Sequence, residues 1–185
     1  MELVTPRLIL RELRDSDFEA IWGYESRPVV QRYERPVPDE KATRAWLEQS
    51  IRWTQESPRT HYRWGITVQP DDTVRGHLSL ALNFEEIREW EIGWTVHDAC
   101  WGRGYATEAA TAVLAYAFGA LHAHRVVAFC HVANVASTRV MEKIGMRRDG
   151  LLRETRWLNG AWADECVYAI LEKDWKQLSE RARDQ

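Results

Sequence analysis

The sequence predicts a mixed α/β protein of the α+β class, with a central, mostly antiparallel sheet of about seven strands and helices packed on it. Two observations predict this. Between His61 and Val96, strand-like runs follow one another across turn-forming residues, the pattern of an antiparallel meander. Directly after it, an alanine-rich stretch without proline, Tyr105 to about Gly119, leads into the apolar run Arg125–Cys130. A strand–helix–strand crossover of this kind joins parallel strands, so the sheet is mixed.

Arg7–Leu13 alternates charged and apolar residues, with a slip at Ile9, and is the first strand. Asp15 is placed to cap a helix to about Tyr24, with Phe18, Ile21 and Trp22 on its apolar face. Pro28, Pro36 and Pro38 punctuate a loop that also holds Tyr33. Asp39 opens a second helix to about Glu56, with Ala42, Trp46, Leu47, Ile51 and Trp53 facing inward. The meander comprises Tyr62–Val68, Val74–Phe84 with Gly76 as a candidate bulge, and Glu89–Val96.

The continuous apolar run Arg125–Cys130 suits a buried central strand. Asn134–Ile144 is a short helix stopped by Gly145. Met146–Trp157 and Trp162–Leu171 flank Asn159-Gly160, the strongest short hairpin signal. A polar helical tail starts at Glu172. The order is β-α-α-β-β-β-α-β-α-β-β, without repeat or domain boundary, so residues 1–185 form a single domain.

A net charge of −3 gives no support to a nucleic-acid surface. The ten tryptophans interleave with no basic patch and are expected in the core and lining a pocket. Cys100, Cys130 and Cys166 are odd in number and form no C-x-x-C pair, which argues against a disulfide framework or structural zinc and fits a reducing compartment. The charged N-terminus lacks the apolar run of a signal peptide, and no stretch is long enough for a membrane span, so a cytoplasmic protein is expected. The six histidines form no metal set. His122 and His124 follow a helix end, His131 lies near Asn134, and His77 is mid-strand, where it can face an acceptor.

The chemistry concentrates in Trp101-Gly102-Arg103-Gly104-Tyr105-Ala106-Thr107-Glu108. Its glycines allow a tight turn and leave backbone N–H groups bare at the start of a helix, an arrangement that serves either as an anion cradle or as a plain strand-to-helix turn. A Walker loop needs Gly-Lys-Ser/Thr, and here Tyr105-Ala106 follows Gly104. A dinucleotide fingerprint needs a small residue where Thr107 stands and an acid about 20 residues on, near Arg125 and Val126. Neither fits, and a pyrophosphate outside these two families remains.

Trp101-x-x-Gly104-x-Ala106 resembles the acyl-coenzyme A signature of the GCN5-related N-acetyltransferases (GNAT). The run Trp101–Ala109 resembles the RimJ/RimL-like branch, which acetylates ribosomal-protein N-termini. Asn134-x-x-Ser137 followed by Lys143-x-Gly145-Met146 is similar to that branch's second block, and Thr5-Pro6-Arg7-Leu8-Ile9-Leu10-Arg11 to its first strand. The resemblance implies the GNAT fold, splayed at the acyl-coenzyme A site. The pantetheine arm would pair with the freed backbone of Trp94-Thr95-Val96. The pyrophosphate would lie on amides of Gly102, Arg103, Gly104, Tyr105, Ala106 and Thr107. Trp101 stands where the wider superfamily has Gln or Arg, and Arg103 is the candidate replacement charge. Asn134 would bond the pantetheine amides or serve as an N-cap, and Lys143 belongs to the same binding block.

The tyrosine that protonates the departing thiolate in many of these enzymes is replaced by Met141, and Ser137, or a water it orders, is the candidate acid. Glu91 is the candidate general base, on the strand face shared with Gly93 and Thr95, and the Val96 N–H is the candidate oxyanion donor. The implied activity is acetyl transfer from acetyl-coenzyme A to a primary amine, on a protein N-terminus or a small molecule, by direct attack and without a metal. The acceptor pocket is expected between the Tyr24–Pro38 loop and the hairpin near Glu154–Asp164. A monomer or homodimer is expected, with neither nucleic acid nor membrane as partner. A non-catalytic acyl-coenzyme A sensor stays open beside this reading, because Met141 has no proton to give.

Overall fold

Alternation becomes pairing in one sheet. The computed structural model describes residues 1–183. It runs β1 (Glu2–Val4), β2 (Leu8–Glu12), α1 (Phe18–Glu25), α2 (Pro28–Gln31), α3 (Glu40–Arg52), β3 (His61–Val68), β4 (Asp71–Phe84) and β5 (Glu89–Val96). There follow α4 (Tyr105–Gly119), β6 (Arg125–His131), α5 (Val135–Lys143), β7 (Arg147–Leu158), β8 (Ala161–Leu171) and α6 (Glu172–Arg183). The eight strands lie in the order β1-β2-β3-β4-β5-β6-β8-β7. Neighbours are antiparallel except β5 and β6, which the α4 crossover makes parallel.

The strand beyond the expected seven is β1, paired through Leu3 and Leu10. Three residues before Thr5-Pro6 are too few to show a period. Asp15 does not cap α1. It begins a 3-10 turn, Asp15–Asp17, and Asp17 turns inward to take both arms of Arg11 at 2.8 Å, an ion pair with both partners buried. Asp39 does cap α3, accepting from the Ala42 N–H at 2.7 Å. Ala42 itself is exposed, and Thr43 and Ser50 take the inward positions. Their hydroxyls donate back to the Asp39 and Trp46 carbonyls, which makes burial affordable for a polar side chain. The helix ends at Arg52, its last turn tightening into a 3-10 segment, Trp53–Gln55.

Two cores cover the two faces of the sheet. His77 packs on Tyr24 of α1 and Trp46 of α3, while its neighbours on the other side of the pleat, Leu78 and Leu80, join the cluster of α4. On α4, Ala109, Ala110, Val113, Leu114 and Ala117 are fully buried, so its alanines let the helix lie close to β2–β5. Burial of Val113 and Leu114 contributes about 1.5–3 kcal/mol each. The candidate bulge at Gly76 lies on its β3 side: between the Gly65–His77 and Thr67–Val74 pairs, Arg75 and Gly76 together stand opposite Ile66, while toward β5 Gly76 pairs with Val96. A Cβ there would stand 2.5 Å from the Thr95 carbonyl oxygen and 2.9 Å from the Val96 Cα, so close backbone approach requires the glycine.

Candidate functional site

The sheet opens between its two parallel strands. β5 and β6 pair only at Glu89–Arg125, Trp90–Val126 and Glu91–Val127. Beyond Glu91 each follows its other neighbour, β5 staying on β4 to Val96 and β6 on β8 to His131. Past this vertex lies a cavity of about 460 Å³, walled by Trp94–Val96, the Trp101–Thr107 loop, α5 and the segment Val29–Glu34.

The freed edge of β5 faces this cavity. The His97 N–H donates to the Arg75 carbonyl across β4 at 2.8 Å. Antiparallel alternation then turns the N–H and C=O of Val96 and Trp94 away from β4, toward the side β6 has left. The Val96 carbonyl accepts from the Trp101 indole Nε1 at 2.7 Å. Trp101 therefore ties the loop back onto the strand end, and among the described residues no acceptor takes the Val96 N–H beside that bond.

The loop turns through two left-handed glycines, Gly102 (φ 74°) and Gly104 (φ 78°), the latter the N-cap of α4. The helical ladder starts at Glu108, whose N–H reaches the Gly104 carbonyl at 3.0 Å. Among the described residues no acceptor takes the backbone N–H groups of Gly102 through Thr107. Open donors at the positive end of a 15-residue helix hold anions. Across the gap, Ala136, Arg139, Val140 and Lys143 follow helical spacing along one face of α5 and line the cavity, with two cations facing the loop.

Asn134 begins α5. Its Oδ1 accepts from the Ser137 N–H at 3.2 Å, the expected cap, and its Nδ2 points to Glu34 Oε1 at 3.5 Å. Ser137 lines the cavity half-buried, with no described partner for its hydroxyl. Met141 is buried in the core.

Of the residues singled out from sequence, Trp94, Thr95, Val96, Trp101, Gly102, Gly104, Tyr105, Ala106, Thr107, Asn134, Ser137 and Lys143 line this one cavity. Arg103 does not; its side chain is exposed, and its carbonyl accepts from Arg7. Glu91 sits at the vertex, outside the lining, where its carboxylate accepts from Asn83 Nδ2 at 3.3 Å. His77 is buried away from the cavity, with Nδ1 3.0 Å from the Tyr24 hydroxyl. Burial and the nearby Arg63 and Arg35 push its pKa down, which keeps the ring neutral. His131 packs on the Tyr33 ring, behind the lining.

Sequence reasoning missed Glu34 and Arg139. The Arg139 signal was the helical spacing to Lys143; Glu34 lies in a segment with no periodicity. Its carboxyl pKa is raised by burial, which outweighs the pull of Arg156 and Arg35. The β7–β8 hairpin supports this segment from outside the cavity. Arg156 donates to the Glu34 carbonyl, and Asn159 Nδ2 to the Arg32 carbonyl at 3.4 Å.

A family model described as an acetyltransferase (GNAT) domain matches residues 7–147. This chain belongs to the GNAT acetyltransferase family. The acetyltransferase is 34% identical over 179 residues to YnaD of Bacillus subtilis, an N-acetyltransferase described as uncharacterized, covering 95% of this chain and 99% of that one. A crystal structure of a GNAT-family acetyltransferase from Bacillus anthracis is 33% identical, with a TM-score of 0.83 over 94% of this chain and 99% of the other. RimL, a ribosomal alpha-N-protein acetyltransferase solved in complex with coenzyme A, shares the fold at 21% identity, with a TM-score of 0.82 over 92% and 98% of the two chains. The acetyltransferase thus has RimJ/RimL-like relatives, at distant identity. No helix among its described residues is long and apolar enough to cross a membrane.

Proposed function

We propose that this acetyltransferase carries acetyl from acetyl-coenzyme A to a primary amine, by direct attack within a ternary complex. The observation that carries the reading is the parting of β5 from β6 beside a helix N-terminus with open amides. The cleft fits the donor's chemistry. An elongated amide-bearing arm matches the unpaired edge of Trp94–Val96, and a pyrophosphate matches the N–H groups of Gly102–Thr107 with Arg139 and Lys143 opposite. At Gly102 a Cβ would meet nothing within 4 Å, so the loop backbone is open to close approach.

Acetyl-coenzyme A supplies an acyl group already activated as a thioester. The chain's own residues orient, stabilise and move protons. The Val96 N–H serves as donor to the oxygen on which charge develops. The amine loses its proton and forms the N–C bond, the C–S bond breaks, and the thiolate takes a proton for which Ser137 is the candidate source. The acceptor is an amine at a protein N-terminus or on a small molecule, approaching along the Val29–Glu34 segment. The reading treats the chain as one acetyltransferase domain acting in the cytoplasm, where Cys130 and Cys166, free thiols opposite each other across β6 and β8, stay reduced.

The test is incubation with acetyl-coenzyme A and a panel of amines, N-terminal peptides and polyamines included, following free thiol release. Turnover on one class supports the reading and names the acceptor. Binding by calorimetry without turnover on any amine supports the sensor reading, and no binding overturns both.

A further inference from the structure

We infer that the Glu34 carboxylate receives the acceptor: it binds the incoming ammonium as its counter-ion and takes its proton before attack. This rests on the acetyl-transfer reading. Glu34 is the one carboxylate among the described residues lining the cavity, which otherwise carries Arg32, Arg139 and Lys143. A cleft that cradles phosphates at one end thus presents a single negative group at the other.

Among the described residues no salt bridge holds that carboxylate, although Arg156 and Arg35 lie near enough to pull on its charge. Arg156 is paired with Glu165 at 3.0 Å and spends a second N–H on the Glu34 backbone carbonyl. Arg35 is committed to Glu25. What remains for the Glu34 side chain is the long contact from Asn134 Nδ2, at the outer limit of a hydrogen bond. A half-buried carboxylate with only that long contact is costly, and a bound ammonium satisfies it.

The placement is also built. Glu25 is buried, and its Oε2 accepts from Gln31 Nε2 at 2.7 Å and from Arg35, the two residues that flank the Arg32–Glu34 turn. The Arg156 and Asn159 bonds hold the same segment from the hairpin. Glu25 from the first helix and the hairpin from the other side therefore fix the turn that follows α2.

The groups facing Glu34 are Arg156 and Glu165 of the hairpin, Arg35 and Glu25 from the first helix and its following segment, and Asn134 of α5. Burial raises the carboxyl against the pull of the two arginines, bringing it closer to the range of a working base. Desolvation lowers the pKa of an ammonium held there while the carboxylate's charge raises it, so the proton passes once burial outweighs the pairing. The N–H bond breaks, its electron pair stays on nitrogen, and the proton rests on Glu34 until released to solvent. Glu91, the carboxylate at the vertex, is turned to Asn83.

The experiment measures kcat against pH, under conditions where chemistry limits the rate, for the parent and for Glu34→Gln, Glu34→Asp and Glu91→Gln. Calorimetry with acetyl-coenzyme A checks that each variant folds. Glu34→Gln is expected to lower kcat about a hundredfold and to remove the acid-side limb, with acetyl-coenzyme A affinity unchanged. Glu34→Asp should regain part of the rate and keep a limb. An unchanged limb in Glu34→Gln, or one that survives there and vanishes in Glu91→Gln, overturns the inference alone. A parent that binds no acetyl-coenzyme A overturns the reading beneath it.

Discussion

Arg7 and Glu108, 101 positions apart in the chain, close a single clamp beside the glycine loop. The Glu108 carboxylate accepts from the Arg7 Nε at 2.6 Å, the Arg7 backbone N–H at 3.0 Å and the Thr5 hydroxyl at 2.7 Å. Arg7 also donates to the Arg103 carbonyl at 3.0 Å and lies over the Tyr105 ring. The start of the chain therefore fastens both the glycine loop and the first turn of α4, where a carboxylate also complements the helix dipole.

Glu108→Gln should lower both stability and donor affinity. Burial alone would raise this carboxyl, but the bonds from Thr5 and Arg7 outweigh it and hold its pKa below the ordinary value. A group depressed by folding stabilises the protein fully above its unfolded pKa, and loses that contribution as pH falls through the folded value. Half of the Arg7 side chain is exposed, which screens the pair and limits the loss to about 1–2 kcal/mol. Thermal melting should show a drop of a few degrees at pH 7 that shrinks below about pH 4. A drop of the same size at both pH values would contradict the ionic origin.

Gly104→Val should weaken acetyl-coenzyme A binding at least about tenfold, roughly 1.4 kcal/mol, measured by calorimetry. Space is not the obstacle, since the nearest atom to a Cβ there is Arg7 Nη2 at 3.5 Å. The obstacle is φ 78°, which a β-branched residue avoids. The loop would shift, and its N–H groups would no longer converge. Unchanged affinity would remove the loop as the phosphate cradle.

The reach of sequence reasoning follows the range of the forces involved. α4 was legible to the residue, because Gly104 and an alanine run mark it locally. β5 was legible because alternation and the turns around it are also local. Alternation assigned Glu91 to a face but could not say whether that face met the cavity. That depends on where β6 leaves β5, a tertiary event. The segment around Glu34 was opaque for the same reason. Its conformation is set by Glu25 holding Arg35 and by Arg156, 122 positions from Glu34, and no periodicity encodes either. Thr5-Pro6-Arg7 was recognisable as a pattern, and only the Glu108 clamp gives it a physical reason.

Trp101→Phe separates two roles for this side chain. The ring's packing is largely kept, while the indole bond to the Val96 carbonyl is lost. A neutral hydrogen bond is worth about 0.5–1.5 kcal/mol, so acetyl-coenzyme A affinity should fall about two- to tenfold, with little change in melting temperature. A large fall in melting temperature would mean instead that the indole bond holds the fold.

Ser137→Ala tests the proton donor. The serine lines the cavity on the first turn of α5, its backbone N–H already committed to the Asn134 cap and its hydroxyl without a described partner. Met141, one helical turn further on, is buried and carries no proton to give. If the hydroxyl supplies the departing thiolate, removing it should lower kcat about a hundredfold at saturating substrates while leaving KM for both substrates nearly unchanged. The cap is unaffected, because Asn134 bonds the backbone of residue 137 and not its side chain. The clearest readout is a donor with a better leaving group. An acetyl thioester of an acidic thiol needs less protonation on departure, so the alanine variant should regain much of its rate with that donor. A deficit of the same size with both donors would show that Ser137 orders the site without giving the proton.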